Sequence, residues 1–343
     1  MMRNKNMIAN DRFNIVYIFG AGASVDANKE EDAFKPTNSF LNMPLANSFG
    51  NAVRDIIKFV SYGRSNGNKR IISDELYSTL EKFQKFIAQH KTVDEGMRKL
   101  YLFKDELSNK ELYEKYKKVI SIIFFAIENL KNGVSIPGYR DNRYSQFILT
   151  LVNDLFELPK NVQILNWNYD NQLELAIYDI TKSMKSDKSP LSNYENYIRI
   201  NGSGYDMGKL DLLKEEIQKE EILNKFFLDN STINFAWEDN FDRPISPMKL
   251  ESKPNPENKP TVFVVIGYSY PYINHKFDYE ILKTYMPYKV YFQNPSDEAF
   301  IDFKDKFIND FEDDNIRHIK NTDRFYIPPE MYFGYYRKTK YHI

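Results

Sequence analysis

Five short clusters carry the residue types that could do chemistry. Gly20-Ala21-Gly22-Ala23-Ser24 puts two residues without a Cβ and one hydroxyl directly after an apolar run. Backbone N–H groups at such a turn can cradle a diphosphate, and Ser24 can donate its hydroxyl. The same residues also suit a tight turn that only packs. The third glycine of the usual dinucleotide fingerprint is missing, and so is the lysine of a P-loop, which disfavours ATP hydrolysis. Asn166-Trp167-Asn168-Tyr169-Asp170 offers two amides and a carboxylate at alternating positions, on one side of an extended chain. Amides can fix sugar hydroxyls or a carboxamide. The competing reading is an Asx-rich turn in which Asp170 caps the next helix. Gly267-Tyr268-Ser269 repeats the glycine-plus-hydroxyl logic, and Asn201-Gly202 and Asn294 each follow a further short apolar run. His275 suits a helix entry better than a base.

Other chemistries are excluded or disfavoured. The chain has no cysteine, so it has no disulfide, no cysteine zinc ribbon and no thiol nucleophile. Its four histidines stand far apart, so a histidine-built metal site is not expected. A net charge of −1 argues against a globally basic nucleic-acid coat. The most apolar run, Val119–Ile127, is far shorter than the ~20 residues that cross a bilayer. The polar N-terminus shows no secretory pattern, so a cytoplasmic protein without direct membrane contact is expected.

The clusters need elements to position them. Apolar runs predict strands at Asn14–Phe19, Val162–Leu165, Tyr197–Ile200 and Thr261–Ile266, with a last one at Tyr288–Phe292. Helical spacing covers Leu45–Val60, most of Asp74–Asn132, Tyr144–Leu158, a segment from Gln172, residues 206–235 and Asp278–Tyr285. Ser73 and Asp74 suit a helix start. Residues 244–260 read as a surface linker. Strands alternating with helices, with small or amide residues just after the strands, predict an open parallel α/β sheet. Ligands bind such sheets at the carboxyl ends of the strands.

Taken in order, GAGAS, NWNYD, INGSG, GYS and a late strand ending in Asn resemble the sirtuin-like NADase family of bacterial antiphage defence. The resemblance implies a Rossmann-like parallel sheet with helices on both faces and a helical subdomain. It spans an NAD-binding domain over 12–296, with helical insertions at about 60–140 and 205–260. Residues 297–343 would form a C-terminal helix and aromatic tail. Gly20, Ala21, Gly22 and Ser24 match the turn that holds the NAD diphosphate. Asn168 and Asp170 match the Asn and Asp of a T-x-N-x-D motif, with Asn168 catalytic beside the nicotinamide ribose and Asp170 near the carboxamide. Gly267, Ser269 and Asn294 match positions around the adenosine ribose. Met43-Pro44-Leu45 looks like the end of the loop that closes over nicotinamide.

Two departures shape the functional expectation. The family's catalytic His-Gly pair reads Asn201-Gly202 here, and an amide cannot take a proton near neutral pH. The four-cysteine zinc module of sirtuin deacetylases is absent, which lowers the deacetylase reading. The expected activity is cleavage of NAD⁺, as substrate, to nicotinamide and ADP-ribose without a metal. Asn168 would hold the attacking water and Asn201 the ribose hydroxyls. The alternative is a catalytically silent sensor or scaffold that binds NAD or ADP-ribose. A nicotinamide-dependent dehydrogenase ranks third. The resemblance also implies control by a homo-oligomer or by a separate sensor or ATPase subunit, with nucleic acid met only through a partner. The apolar run in 119–127 is too broad for one helix stripe, so it is buried in its own chain or in an assembly.

Overall fold

The computed structural model describes residues 12–25, 43–62, 72–129, 140–152, 158–183, 196–207, 219–229, 231–238, 259–307 and 315–331. Strand β1 (Asn14–Phe19) is buried along its whole length, so both of its faces must be covered. It lies in a six-stranded sheet with β2 (Val162–Asn166), β3 (Tyr197–Arg199), β4 (Thr261–Ile266), β5 (Lys289–Gln293) and β6 (Ile316–Ile319). The order is β3-β2-β1-β4-β5-β6, and every pairing is parallel. This is the doubly wound, Rossmann-like arrangement. The order reverses between β1 and β4, where Asn14 lies opposite Thr261 and Phe19 opposite Ile266.

Alternation along the strands feeds two cores. Ile15, Tyr17 and Phe19 pack with Val262 and Val264 on one face, under α5 (Asn142–Leu151) and α6 (Gln172–Ser183). Val16, Ile18, Phe263 and Val265 face the other way, under α8 (His275–Tyr285) and α9 (Asp297–Phe307). A third core belongs to the insertion. It combines α1 (Phe49–Tyr62), α2 (Asp74–Ile87), α3 (Val93–Leu102), α4 (Leu107–Asn129), α7 (Lys219–Leu228) and residues 231–238. It also takes in Leu175 of α6 and Tyr205 beyond β3, so it is continuous with the sheet domain.

Helix α4 explains the apolar run. Val119, Ile120 and every residue from Ile122 to Ile127 are buried inside this chain. Truncating such a side chain, Phe125 for instance, costs about 3–5 kcal/mol. The run therefore offers no surface for assembly. Ser73 does cap α2, its hydroxyl accepting the Leu76 N–H.

Three sequence expectations need correction. Helix α5 ends at Leu151, with Val152 already extended. Within 206–235, the described residues are helical at Lys219–Leu228. Residues 231–238 instead run beside the end of β3, where Ile233 bridges Gly202 antiparallel. The sheet does not stop at β5: β6 adds a strand, and Phe325 and Met331 beyond it enter the sheet's core. The helix end at 132–133, the linker core and the end of the aromatic tail lie outside the described residues. Among the described residues, no helix is long and apolar enough to cross a membrane.

Candidate functional site

All six strands point the same way, so their carboxyl ends share one edge. A cavity of about 550 Å³ opens there, within the ~300–1,000 Å³ of small-ligand sites. Eight of the ten residues singled out from sequence line it: Ala21, Gly22, Asn168, Asp170, Asn201, Gly267, Ser269 and Asn294. Gly20 and Ser24 are buried behind the wall. Pro44 and Leu45 also line the cavity, while Met43 sinks into the helical core. His275 is exposed at the start of α8 and stacks on Tyr272.

The first turn is held by its own fold. Gly20 N–H donates to the Ile266 carbonyl, Gly22 N–H to Gly267 and Ala23 N–H to Gly20. A Cβ on Gly20 would sit 2.5 Å from Tyr268 Cα. The glycines thus let the turns after β1 and β4 touch, which is the packing role that sequence reading set beside the ligand role. Arg143 of α5 fastens the turn from outside, donating to the carbonyls of Ala23, Val25 and Thr322 and pairing with Asp141 at 2.6 Å.

The second cluster is a polar wall. Asn166 accepts the Asn168 N–H, forming the Asx turn. Asn168 Nδ2 lies 3.3 Å from both Ser24 Oγ and Tyr144 Oη, and those two hydroxyls are 2.8 Å apart. Asn168 Oδ1 is buried with no hydrogen-bond partner among the described residues. Such an acceptor costs free energy unless something donates to it. Asp170 accepts the Gln172 N–H at the start of α6, so the helix-capping reading also holds. Burial pushes the Asp170 carboxyl up; Gln172, Ser24 and Arg199 pull it back.

Arg199, at the end of β3, fixes this loop. One guanidinium nitrogen donates to the carbonyls of Asn168, Tyr169 and Asp170, at 2.9, 3.1 and 2.7 Å. Another pairs with Glu174 and with Asn171 Oδ1. The planar fork makes this possible where a lysine could not. From the insertion, Glu128 of α4 accepts from Asn171 N–H and Gln172 Nε2, both at 2.9 Å.

Asn201 is committed on both sides. Its Nδ2 donates to the Trp167 carbonyl at 2.9 Å and its Oδ1 accepts the Ala236 N–H at 3.2 Å. Asn294 Oδ1 accepts the Ser296 N–H ahead of α9. Trp167 stacks flat on Tyr268, centroids 5.0 Å apart, to form an aromatic wall. The insertion closes the far side with Thr92, Val93, Asp94 and Phe124.

Sequence reading missed Arg143, Arg199, Glu128 and Asp94. Their partners are mostly backbone atoms or lie far away in the chain, so no local spacing announces them. Among the described residues, no group of three or more His, Asp or Glu is arranged to hold a metal ion. No protein-family model matches the chain, and no curated protein matches it.

Proposed function

We propose that the protein hydrolyses the nicotinamide–ribose bond of NAD⁺, releasing nicotinamide and ADP-ribose. The supporting observation is the cavity at the β1/β4 switch point, lined by eight residues from five strand ends; seven of them match the sirtuin-like NADase pattern, and Asn201 stands at its usual His position. Doubly wound sheets bind dinucleotides at this point. Asn168 suits the reaction because its Oδ1 lacks a donor among the described residues and its Nδ2 is held by Ser24 and Tyr144. A water or ribose hydroxyl donating to Oδ1 would satisfy it. The C1′–N bond is weak because nicotinamide leaves as a neutral molecule, and positioning a water at C1′ is worth about 10²-fold or more.

On this reading Ala21 and Gly22 lie by the diphosphate, Gly267, Ser269 and Asn294 by the adenosine ribose, and Asp170 by the carboxamide. Antiphage defence, a cytoplasmic location and activation by self-assembly or a partner subunit belong to the same proposal. The second reading, an NAD- or ADP-ribose-binding module without turnover, is favoured by one observation: Asn201 uses both ends of its amide to join backbone segments.

The test is nicotinamide release from NAD⁺ by the full chain, purified and in extracts of expressing cells, with calorimetry for NAD⁺ binding. Cleavage that Asn168→Ala reduces at least 100-fold supports hydrolysis. Binding without release selects the module. Neither binding nor release removes both.

A further inference from the structure

Resting on the NAD⁺-cleavage reading, we propose that Asp94 of helix α3 is the base of this site, taking the proton that Asn201 cannot. Three charged side chains line the cavity among the described residues: Asp94, Arg143 and Asp170. Arg143 is engaged with Asp141 and three carbonyls. Asp170 is 5% exposed and caps α6. Asp94 differs from both. It reaches the cavity from the insertion and keeps partial exposure there. One of its oxygens accepts the Tyr169 phenol proton at 2.7 Å. Tyr169 follows Asn168 directly, so this bond anchors the carboxylate to the residue next to the unpartnered buried acceptor.

The insertion holds Asp94 firmly. Thr92 caps α3, its hydroxyl accepting the Glu95 N–H, while Glu95 accepts the Lys91 N–H. These two bonds, the second one residue ahead of the N-cap, fix the first helical turn, where Asp94 sits. Burial raises the Asp94 carboxyl above its ordinary range, while Tyr169 and its own N–H oppose the rise. The direction suits a base working nearer neutrality. Burial and Asp94 itself push the Tyr169 phenol well above its ordinary value, so Tyr169 stays neutral and serves as a positioning residue.

The step balances without a cofactor. A water oxygen bonds to C1′ as the C1′–N bond breaks, and that bond's electron pair goes to the nicotinamide nitrogen. One water proton passes to the Asp94 carboxylate and then to solvent. The other stays on the new C1′ hydroxyl. The carboxylate also opposes the positive charge that builds on the ribose.

The experiment measures nicotinamide release and NAD⁺ affinity for the full chain and four variants. Asp94→Asn is isosteric and still accepts the Tyr169 proton. It should lower kcat by about 10²-fold or more while NAD⁺ affinity stays within about threefold of the parent. Asp94→Glu and Asp94→Gln form a second pair of equal length that differs in basicity. Glu should exceed Gln at least tenfold, which a purely structural role would not produce. Tyr169→Phe should fall between the parent and Asp94→Asn in kcat with unchanged KM. Parental kcat in Asp94→Asn, or equal rates for Glu and Gln, overturns the role of Asp94 and leaves NAD⁺ cleavage standing. A parent chain that releases no nicotinamide, in pure form or in extract, overturns the cleavage reading and this proposal with it.

Discussion

Gly22 and Gly267 meet backbone to backbone, the Gly22 N–H donating to the Gly267 carbonyl at 2.9 Å. A Cβ on Gly22 would lie 2.9 Å from that carbonyl oxygen, and one on Gly267 would lie 2.1 Å from Ala23 N. Gly267 also holds φ at +61°, which side chains disfavour. The contact joins the turns after the two central strands and so sets the floor of the cavity.

Gly267→Ala is therefore expected to destabilise the fold by about 2–4 kcal/mol, from left-handed strain plus overpacking. Gly22→Ala should cost less, because its Cβ would meet backbone at 2.9 Å rather than 2.1 Å and no left-handed φ adds strain there. Thermal midpoints by calorimetry check both. A Gly267→Ala midpoint equal to the parent's would show that the two turns do not depend on this approach. For the same reason, lost NAD⁺ binding in a bulky Gly22 variant would report packing as well as a diphosphate contact.

The chain's two tryptophans give a direct reading of the cavity. Trp167 lines it and stacks on Tyr268, whereas Trp237 stacks on Phe235 at 4.4 Å and lies outside the lining. In a Trp237→Phe background, NAD⁺ should shift or quench the remaining emission in a saturable way. A spectrum unmoved at saturating NAD⁺, with binding seen calorimetrically, would place the ligand away from the β1/β4 switch.

Much of this site was readable because buried parallel strands announce themselves. TVFVVI and NIVYIF are unbroken apolar runs, and scarce glycines and amides stand out against them. The rest was hidden for physical reasons. β6 is an edge strand, IRHI, in which Arg317 is exposed and His318 packs against Phe300, so it lacks both an apolar run and a clean turn signal. Residues 231–238 do carry a period of two, with Ile233 and Phe235 buried between partly exposed Thr232 and Asn234. A charged helical pattern before them masked it. Arg199 leaves no trace in a sequence pattern, because three of its acceptors are main-chain carbonyls.

Asn201 separates packing from chemistry. Asn201→Ala leaves the Trp167 carbonyl and the Ala236 N–H without their partner, and should cost about 2–4 kcal/mol, measured by urea unfolding. Asn201→Asp is more informative. Protonated, its O–H can still donate to the Trp167 carbonyl; ionised, it sets a negative oxygen against that carbonyl. The folded state therefore holds the proton more tightly than the unfolded one. Stability relative to the parent should be best at low pH and fall as pH rises through the raised carboxyl value. A parent-to-variant difference that is flat from pH 4 to about 8 would mean that the amide does not link these two backbone segments.

Glu128 predicts the pH dependence of the join between insertion and sheet. Its side chain is fully buried, and it accepts from Asn171 N–H and Gln172 Nε2. Burial, helped by the nearby Asp170 charge, pushes its carboxyl up from 4.5 to about 8. Tyr205 faces it from beyond β3, and Arg140 binds its backbone carbonyl at 2.6 Å. Between the two values the folded state binds more protons than the unfolded state, so stability falls with rising pH. This contribution is fully present below about pH 4.5 and is lost as pH climbs toward 8. Glu128→Gln keeps both accepted hydrogen bonds and removes the titration. The variant should be closest to the parent at low pH and should exceed it in thermal midpoint by several degrees near pH 8. Its melting curve should also be flatter across that window. Parallel pH profiles for parent and variant would show that Glu128 does not carry this linkage, and that the α4 contact with the Asn171 loop is indifferent to its charge.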